Sequence, residues 1–358
     1  MSSQPHKVVI AGAGPAGCAA AITLRNSGAE VTLLERGRAN KEKPCGDAFV
    51  PAAVELLETF GIDRAKRESM GARPFDQVEV QTNAPGAMRG TMKPGPGWLI
   101  PRAILDQSLR DIAARDADVM YDTSVVSITP LAEGGIHLEV RNGNVTTVME
   151  FDAIVIATGS GSSLARENGL DGHSVTTAAI TQYVTMVGCK VPLFLFLKQF
   201  LPGYAWTFPM GERRYNIGVG LLSPEKTKSL QQLMADFTKG YEISEACTLR
   251  GGAMQLWSGQ GIMWHHPAGM VSCGDSAGLI NPYNGEGLTA ALLSGVHAGN
   301  AVASYFQAGR DTAHLQAYSQ WVREHFNREY YDTKIAKVCR MLCGLSDGTS
   351  SSPAGHHH

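Results

Sequence analysis

Three glycines and an acid carry the most legible chemistry of the chain. Gly12, Gly14 and Gly17 follow the apolar run Val8, Val9 and Ile10 with the spacing G-x-G-x-x-G, and Glu35 lies 18 residues beyond Gly17. Glycine at 12 permits a tight turn, glycine at 14 lets a pyrophosphate approach the backbone, and glycine at 17 lets helix and strand pack closely. The Ala-rich helix expected from Pro15 and Ala16 onward turns free N–H groups and the positive end of its dipole toward the phosphates. Glu35, followed by Arg36, closes a second strand where a carboxylate accepts hydrogen bonds from an adenosine ribose. Strand, turn, helix, strand and acid occur in that order, which favours dinucleotide binding over an ordinary glycine-rich turn. Only one such unit is present, unlike in two-dinucleotide disulfide reductases.

A second stretch with chemical potential is "VSCGDSAGLINPYNGEGLTAALLSG", residues 271–295. An apolar strand ends on Gly274 and Asp275. A turn through Pro282, Gly285, Glu286, Gly287 and Leu288 then opens an apolar helix. Read alone, Asp275 is an N-cap and the turn an ordinary one; their order after an apolar strand suits a site that holds a group against backbone amides. Cys45 and Gly46 stand in "KPCGD". Tyr204, Trp206 and Phe208 alternate, so they share one side of a strand and form either an apolar substrate wall or plain core. His265 and His266 are adjacent and face opposite sides of a strand, so no metal site is expected.

The elements that must position these residues follow from length and pattern. A chain of 358 residues buries a large core. The formal charge of −2 gives no polybasic footprint, so nucleic acid is not an expected partner. Seven scattered cysteines without metal-ligand spacing suit a reducing compartment, hence a cytoplasmic location. The N-terminus runs into a strand without a signal peptide. The most apolar run, "VPLFLFLKQFLPGYAWTF" at residues 191–208, is broken by Lys198 and two prolines; it permits peripheral membrane contact but not a span. Alternation in "FDQVEVQT" and "IHLEV" predicts strands, and "MKPGPGW" and "LPGY" mark turns at sheet edges.

Four segments resemble the geranylgeranyl reductase family, within the para-hydroxybenzoate-hydroxylase-like flavoprotein superfamily that also holds flavin-dependent halogenases. They are the nucleotide unit with "ERG", the segment "KPCGDAFVPAAVELL", the strand pair "GYAWTFPMGERRYNIGVG", and residues 271–295. The resemblance implies an α/β fold (α+β overall): a Rossmann-like FAD-binding domain of glutathione-reductase type, an inserted, mainly antiparallel β-sheet substrate domain, and C-terminal helices. The FAD domain falls at residues 1–75, 100–165 and 262–310, and the substrate domain at 76–99 and 166–261. The C-terminal helices fall at 311–349, and the tail 350–358 ends in residues that read as a purification tag.

By the same resemblance Asp275 bonds a flavin ribityl hydroxyl, and the amides of residues 282–288 face the N1 and C2 carbonyl edge. Arg102 reaches the FAD phosphates, Val125 contacts adenine through its backbone, and Ala157, Thr158 and Gly159 close over the adenosine side. Cys45 lies by the isoalloxazine as proton donor or pocket wall. Glu286 is either a helix N-terminal charge or a proton relay. One departure stands out. Aligning Ser163 and Arg166 with the hydroxylases' Ser and Arg puts Gly159 and Ser160 in place of their Asp-Gly pair, which is tied to FAD and NAD(P)H. Electrons are therefore expected from NAD(P)H or another reductant, with a separate reductase as one source.

The leading expectation is an FAD-dependent oxidoreductase that transfers a flavin hydride to an apolar, isoprenoid-like alkene. The alternative is a flavin-dependent monooxygenase, or halogenase-like tailoring enzyme, acting on a metabolite or a protein-bound side chain during biosynthesis or cofactor maturation. A non-catalytic FAD-binding protein is a third reading. "YAWTFP" holds only part of the halogenases' Trp-x-Trp-x-Ile-Pro element, which argues against halogenation.

Overall fold

The computed structural model describes residues 4–39, 43–132, 134–170, 173–225, 228–260, 263–332, 337 and 341–342. Its first sheet is six-stranded, in the order His265–His266, Met270–Ser272, Ala153–Ile156, Lys7–Ala11, Glu30–Leu34 and Asp118–Met120. All pairs are parallel except the first. The central strands are buried on both faces and are accordingly continuous apolar runs rather than alternating ones.

Helix Pro15–Leu24 covers one face of this sheet and is itself covered by helix Leu288–Gln307. That crossing explains the small residues on both helices: a Cβ on Gly295 would sit 2.3 Å from the Ala16 carbonyl oxygen. Gly12, at φ +110°, and Gly17 are fixed by similar closeness. A Cβ on Gly12 would meet the Ala157 carbonyl oxygen at 2.3 Å, and one on Gly17 would meet that of Gly12 at 1.9 Å. An antiparallel three-stranded sheet, Thr123–Pro130, Ile136–Asn142 and Val145–Phe151, packs beside the first.

The second large sheet has eight strands. Its path runs Ile243–Ala246, Val175–Met186, Arg214–Leu221, Gly203–Gly211, Leu193–Phe196, Gln77–Thr82 and Ala87–Thr91, with Arg250–Leu256 also on Val175–Met186. It is antiparallel apart from Leu193–Phe196 beside Gln77–Thr82. Helix Leu230–Thr238 packs behind it, setting Leu233, Met234 and Phe237 into one apolar cluster with Ile217 and Val219, so one face of the sheet is closed and the other looks toward the nucleotide-binding layer. Leu193–Phe196, Gly203–Gly211 and the turn Lys198–Phe200 take up the apolar run at 191–208. Helices Ala313–His325 and Arg328–Tyr331 cover the C-terminal side; the tail 350–358 lies outside the described residues. No helix among the described residues is long and apolar enough to cross a membrane.

Candidate active site

The two sheets enclose a cavity of about 1060 Å³. Its nucleotide-side wall holds Gly12, Gly14, Pro15, Ala16, Glu35, Arg36, Val125, Ala157, Thr158 and Gly159. Cys45, Gly46, Arg102 and Asp275 line it further along, followed by Gly285, Glu286, Gly287, Leu288, Tyr204, Trp206 and Phe208. Gly17, Gly274 and Pro282 do not line it. Gly17 and Gly274 act through packing: the Gly274 N–H donates to the Ser294 hydroxyl at 2.9 Å, and a Cβ there would stand 2.8 Å from the Ala16 Cβ. That contact brings residues 271–295 onto the first glycine turn.

Each polar group is held by a nameable neighbour. Glu35 accepts the Ala13 N–H at 3.1 Å and the Gly37 N–H at 2.7 Å, which fixes its carboxylate at the turn. Thr158 presents a buried hydroxyl with no protein partner. Arg102 binds Asp106 with two bonds of 2.8 Å, so much of its guanidinium serves its own helix. Asp275 accepts from the Lys43 ammonium at 2.6 Å and the Ser160 hydroxyl at 3.2 Å. Burial raises the Asp275 carboxyl, but Lys43, Arg102 and Ser160 outweigh it and hold it below the usual carboxylate range. Ser160 also accepts the Gln255 N–H at 3.2 Å and so ties the turn to the second sheet.

The turn at 282–288 spends amides on itself. Asn281 Oδ1 takes the Tyr283 N–H, the Asn281 carbonyl takes that of Gly285, and Asn284 Oδ1 takes that of Glu286. The expectation that amides all along the turn face a ligand is therefore too broad. Glu286 caps helix Leu288–Gln307, accepting the Thr289 N–H at 2.8 Å and its hydroxyl at 3.0 Å. Burial lifts its carboxyl, partly countered by these donors.

Tyr204, Trp206 and Phe208 do share one side of their strand, and Phe194 joins them, 5.1 Å from Phe208 between ring centres. The Tyr204 hydroxyl donates to the Asn284 carbonyl at 2.6 Å, and the Trp206 N–H to Asn216 Oδ1 at 2.9 Å. Asn216 is the hub that sequence reasoning missed. Its amide donates to the Cys45 carbonyl and to Asp47, each at 2.8 Å, and its oxygen also accepts from Thr181 at 2.7 Å. Lys43, Asp47 and Tyr183 were likewise not singled out. For Lys43 and Asp47 the only local signal was their place beside the Cys-Gly pair. Burial pushes the Cys45 thiol up, with Arg102 opposing.

The fold and the site define a flavin-dependent oxidoreductase with a Rossmann-like FAD-binding fold. Residues 6–187 match the pyridine nucleotide-disulphide oxidoreductase family, and the chain belongs to that family. It is 29% identical over 360 residues to a menaquinone reductase of Mycolicibacterium smegmatis, covering 94% of this chain and 84% of the relative. It is 25% identical to digeranylgeranylglycerophospholipid reductase 2 of Methanosphaera stadtmanae, covering 95% and 88%. A geranylgeranyl-bacteriochlorophyll-reductase-like structure from Thermoplasma acidophilum superposes with a TM-score of 0.82 at 20% identity, covering 96% of this chain and 89% of that one.

The residues present suit a flavin dinucleotide. The space above Gly14 is open, with no protein atom within 4 Å of a Cβ placed there. The Thr158 hydroxyl is buried without a protein partner beside this turn, and the cavity exceeds the roughly 300–1,000 Å³ usual for small-molecule sites.

Proposed function

We propose that the chain is an FAD-dependent reductase that saturates a carbon–carbon double bond in an isoprenoid chain, the chemistry common to a menaquinone tail and a geranylgeranyl lipid. The observation that carries this reading is that the cavity continues past Cys45 into a wall of Tyr204, Trp206, Phe208, Phe194, Val78 and Leu222, apolar apart from the hydroxyl and N–H that Tyr204 and Trp206 spend on the protein. An alkene with no polar group binds such a wall by burial of its surface. Bound flavin supplies the hydride. The chain's own residues supply the rest. Gly14 and the start of helix Pro15–Leu24 hold the phosphates, and Glu35 meets the ribose. Asp275, kept ionised by Lys43, accepts a hydroxyl of the ribityl chain. Trp206, locked by Asn216, keeps water off the apolar side, and Cys45, which lines the same cavity, is the proton donor of this reading. Gly159 in place of an acid supports a donor other than directly bound NAD(P)H.

The test is a visible spectrum of the purified protein, followed by reduction with NADH, NADPH or dithionite and anaerobic mixing with a menaquinone. After reoxidation of any quinol in air, a quinone whose side chain is heavier by two hydrogens per turnover is expected. A colourless protein that cannot be reconstituted with FAD overturns the proposal. A transient absorbing species on mixing the reduced protein with oxygen, with no saturated product from menaquinone, would instead favour oxygenation.

A further inference from the structure

Cys45 faces two spaces. One is the large cavity; the other is a chamber of about 30 Å³ behind it, lined by Cys45, Asp47, Arg102 and Tyr183 on the inside and by Thr248 and Arg250 on the outside. Asp47 and Tyr183 line the chamber but not the large cavity. Thr248 and Arg250 are exposed, whereas Asp47 is 2% exposed. The chamber thus lies between solvent and the Cys45 loop. Its volume exceeds the roughly 10–15 Å³ that one water needs, and its walls offer the several polar partners such a water requires.

Asp47 is unusual within that wall. It adopts φ +65°, a left-handed conformation that costs a non-glycine residue energy. Its carboxylate nevertheless takes the Tyr183 hydroxyl, the Asn216 amide at 2.8 Å and the Arg102 N–H at 3.0 Å, and its own N–H donates to the Cys45 thiol at 3.4 Å. Three elements therefore converge to hold one buried acid next to the thiol. Packing alone does not call for a carboxylate here, since burying a charge is costly.

We propose that Asp47, positioned by Tyr183, passes protons from solvent through the water-sized chamber to the Cys45 thiol, and so recharges the proton-donating side of the flavin cavity. This rests on the reductase reading, in which hydride addition to one alkene carbon leaves the other to take a proton. The Cys45 S–H bond breaks as the new C–H bond forms. The thiolate then takes a proton from the chamber water, which takes one from Asp47, and Asp47 is reprotonated from solvent. One proton enters for each one consumed, and no electrons move along the path. Asp47 and Tyr183 are positioning residues in this scheme, because neither borders the flavin cavity. Burial pushes the Asp47 carboxyl up to about 6 against the donors that lower it, so it can exchange protons near neutral pH. The other titratable or charged groups on this spot are Cys45 itself, Arg102 with Asp106, Lys43, Cys247 and Arg250 around the chamber, and Arg214, 4.4 Å above the Tyr183 ring.

The test has two readouts on flavin-loaded protein. The first is the rate of Cys45 alkylation by iodoacetamide against pH, read by peptide mass mapping. Wild type is expected to show an inflection near pH 6 that Asp47→Asn abolishes and Tyr183→Phe moves upward, because a lost donor raises a carboxyl. The second is steady-state reduction of a menaquinone side chain with dithionite as reductant, in which Cys45 must be recharged at every cycle. Asp47→Asn is expected to slow it roughly 100-fold, and to leave a single turnover of pre-reduced enzyme, which spends the proton already on Cys45, the faster of the two. An inflection that persists in Asp47→Asn overturns the proposal, as does steady-state turnover by that variant at the wild-type rate. If wild type fails to saturate the menaquinone, the reductase reading falls by itself. The relay then stands or falls on the first readout, and a wild-type profile without the inflection refutes it.

Discussion

Replacing Gly14 by alanine separates binding from folding. Gly14 is the N-cap of helix Pro15–Leu24, at φ −80° and ψ −177°, an extended conformation open to any residue. A Cβ there meets no protein atom within 4 Å and points into open space at the cavity wall. The ligand-free protein should therefore keep its stability, or gain about 0.5 kcal/mol because alanine restricts the unfolded chain. A phosphate, by contrast, can no longer approach the helix N-terminus. Losing roughly two charge-assisted hydrogen bonds at about 1.5–3 kcal/mol each gives about 3–6 kcal/mol, or a roughly 10²- to 10⁴-fold rise in the Kd for FAD. The assay is titration of stripped protein with FAD, followed by quenching of flavin fluorescence, beside urea unfolding of the same stripped protein. Gly17→Ala is the contrast, because its Cβ would lie 1.9 Å from the Gly12 carbonyl oxygen and should disrupt folding itself. A Gly14→Ala variant that binds FAD within threefold of wild type, with stability intact, would refute the assignment of this turn to the phosphates.

Three further outcomes follow from neighbouring contacts. Gly218→Ala would place a Cβ 2.1 Å from Trp206 Cζ2 and 2.5 Å from the Ile180 carbonyl oxygen. It should cost about 1–3 kcal/mol in urea unfolding, part of which Trp206→Phe should restore in the double variant. Asp275→Asn should fold normally yet bind FAD about 10- to 100-fold more weakly by calorimetry, because a charged acceptor is lost; unchanged affinity would remove Asp275 from the site. Asp47 gives a pH signature in stability. Its folded carboxyl is raised from 3.8 to about 6, so the folded state favours the protonated form. The stability of wild type relative to Asp47→Asn should be greatest below pH 4 and fall by about 3 kcal/mol as pH rises through 6. A difference that stays flat from pH 4 to pH 7.5 in urea unfolding contradicts it.

The nucleotide turn was readable from sequence because its chemistry is local. Gly12, Gly14, Gly17 and Glu35 act within one strand-turn-helix-strand unit, where spacing along the chain fixes spacing in space. The alternation of Tyr204, Trp206 and Phe208 was readable for the same reason, since a strand's period of two puts them on one side. Family resemblance extended the reading to Cys45 and Asp275 but gave them no partners.

Those partners were set by tertiary structure alone. Lys43 meets Asp275 across 232 residues, Asn216 meets Asp47 across 169, and Tyr183 meets Asp47 across 136. No periodicity reports such pairs: Asn216 and Tyr183 sit on strands of the second sheet that cross the Asp47 loop, and Lys43 reaches Asp275 from a distant loop of the first layer. Arg102 shows a further case: family resemblance gave it to the FAD phosphates, and the structure, while leaving it on the cavity wall, also pairs it with Asp106 four residues on. Sequence by itself determined that this protein builds a dinucleotide turn and an aromatic strand. Only the packing of two sheets against each other decided which buried acid faces the thiol, because a side chain's charge state and partners depend on what the rest of the chain brings within a few ångströms of it.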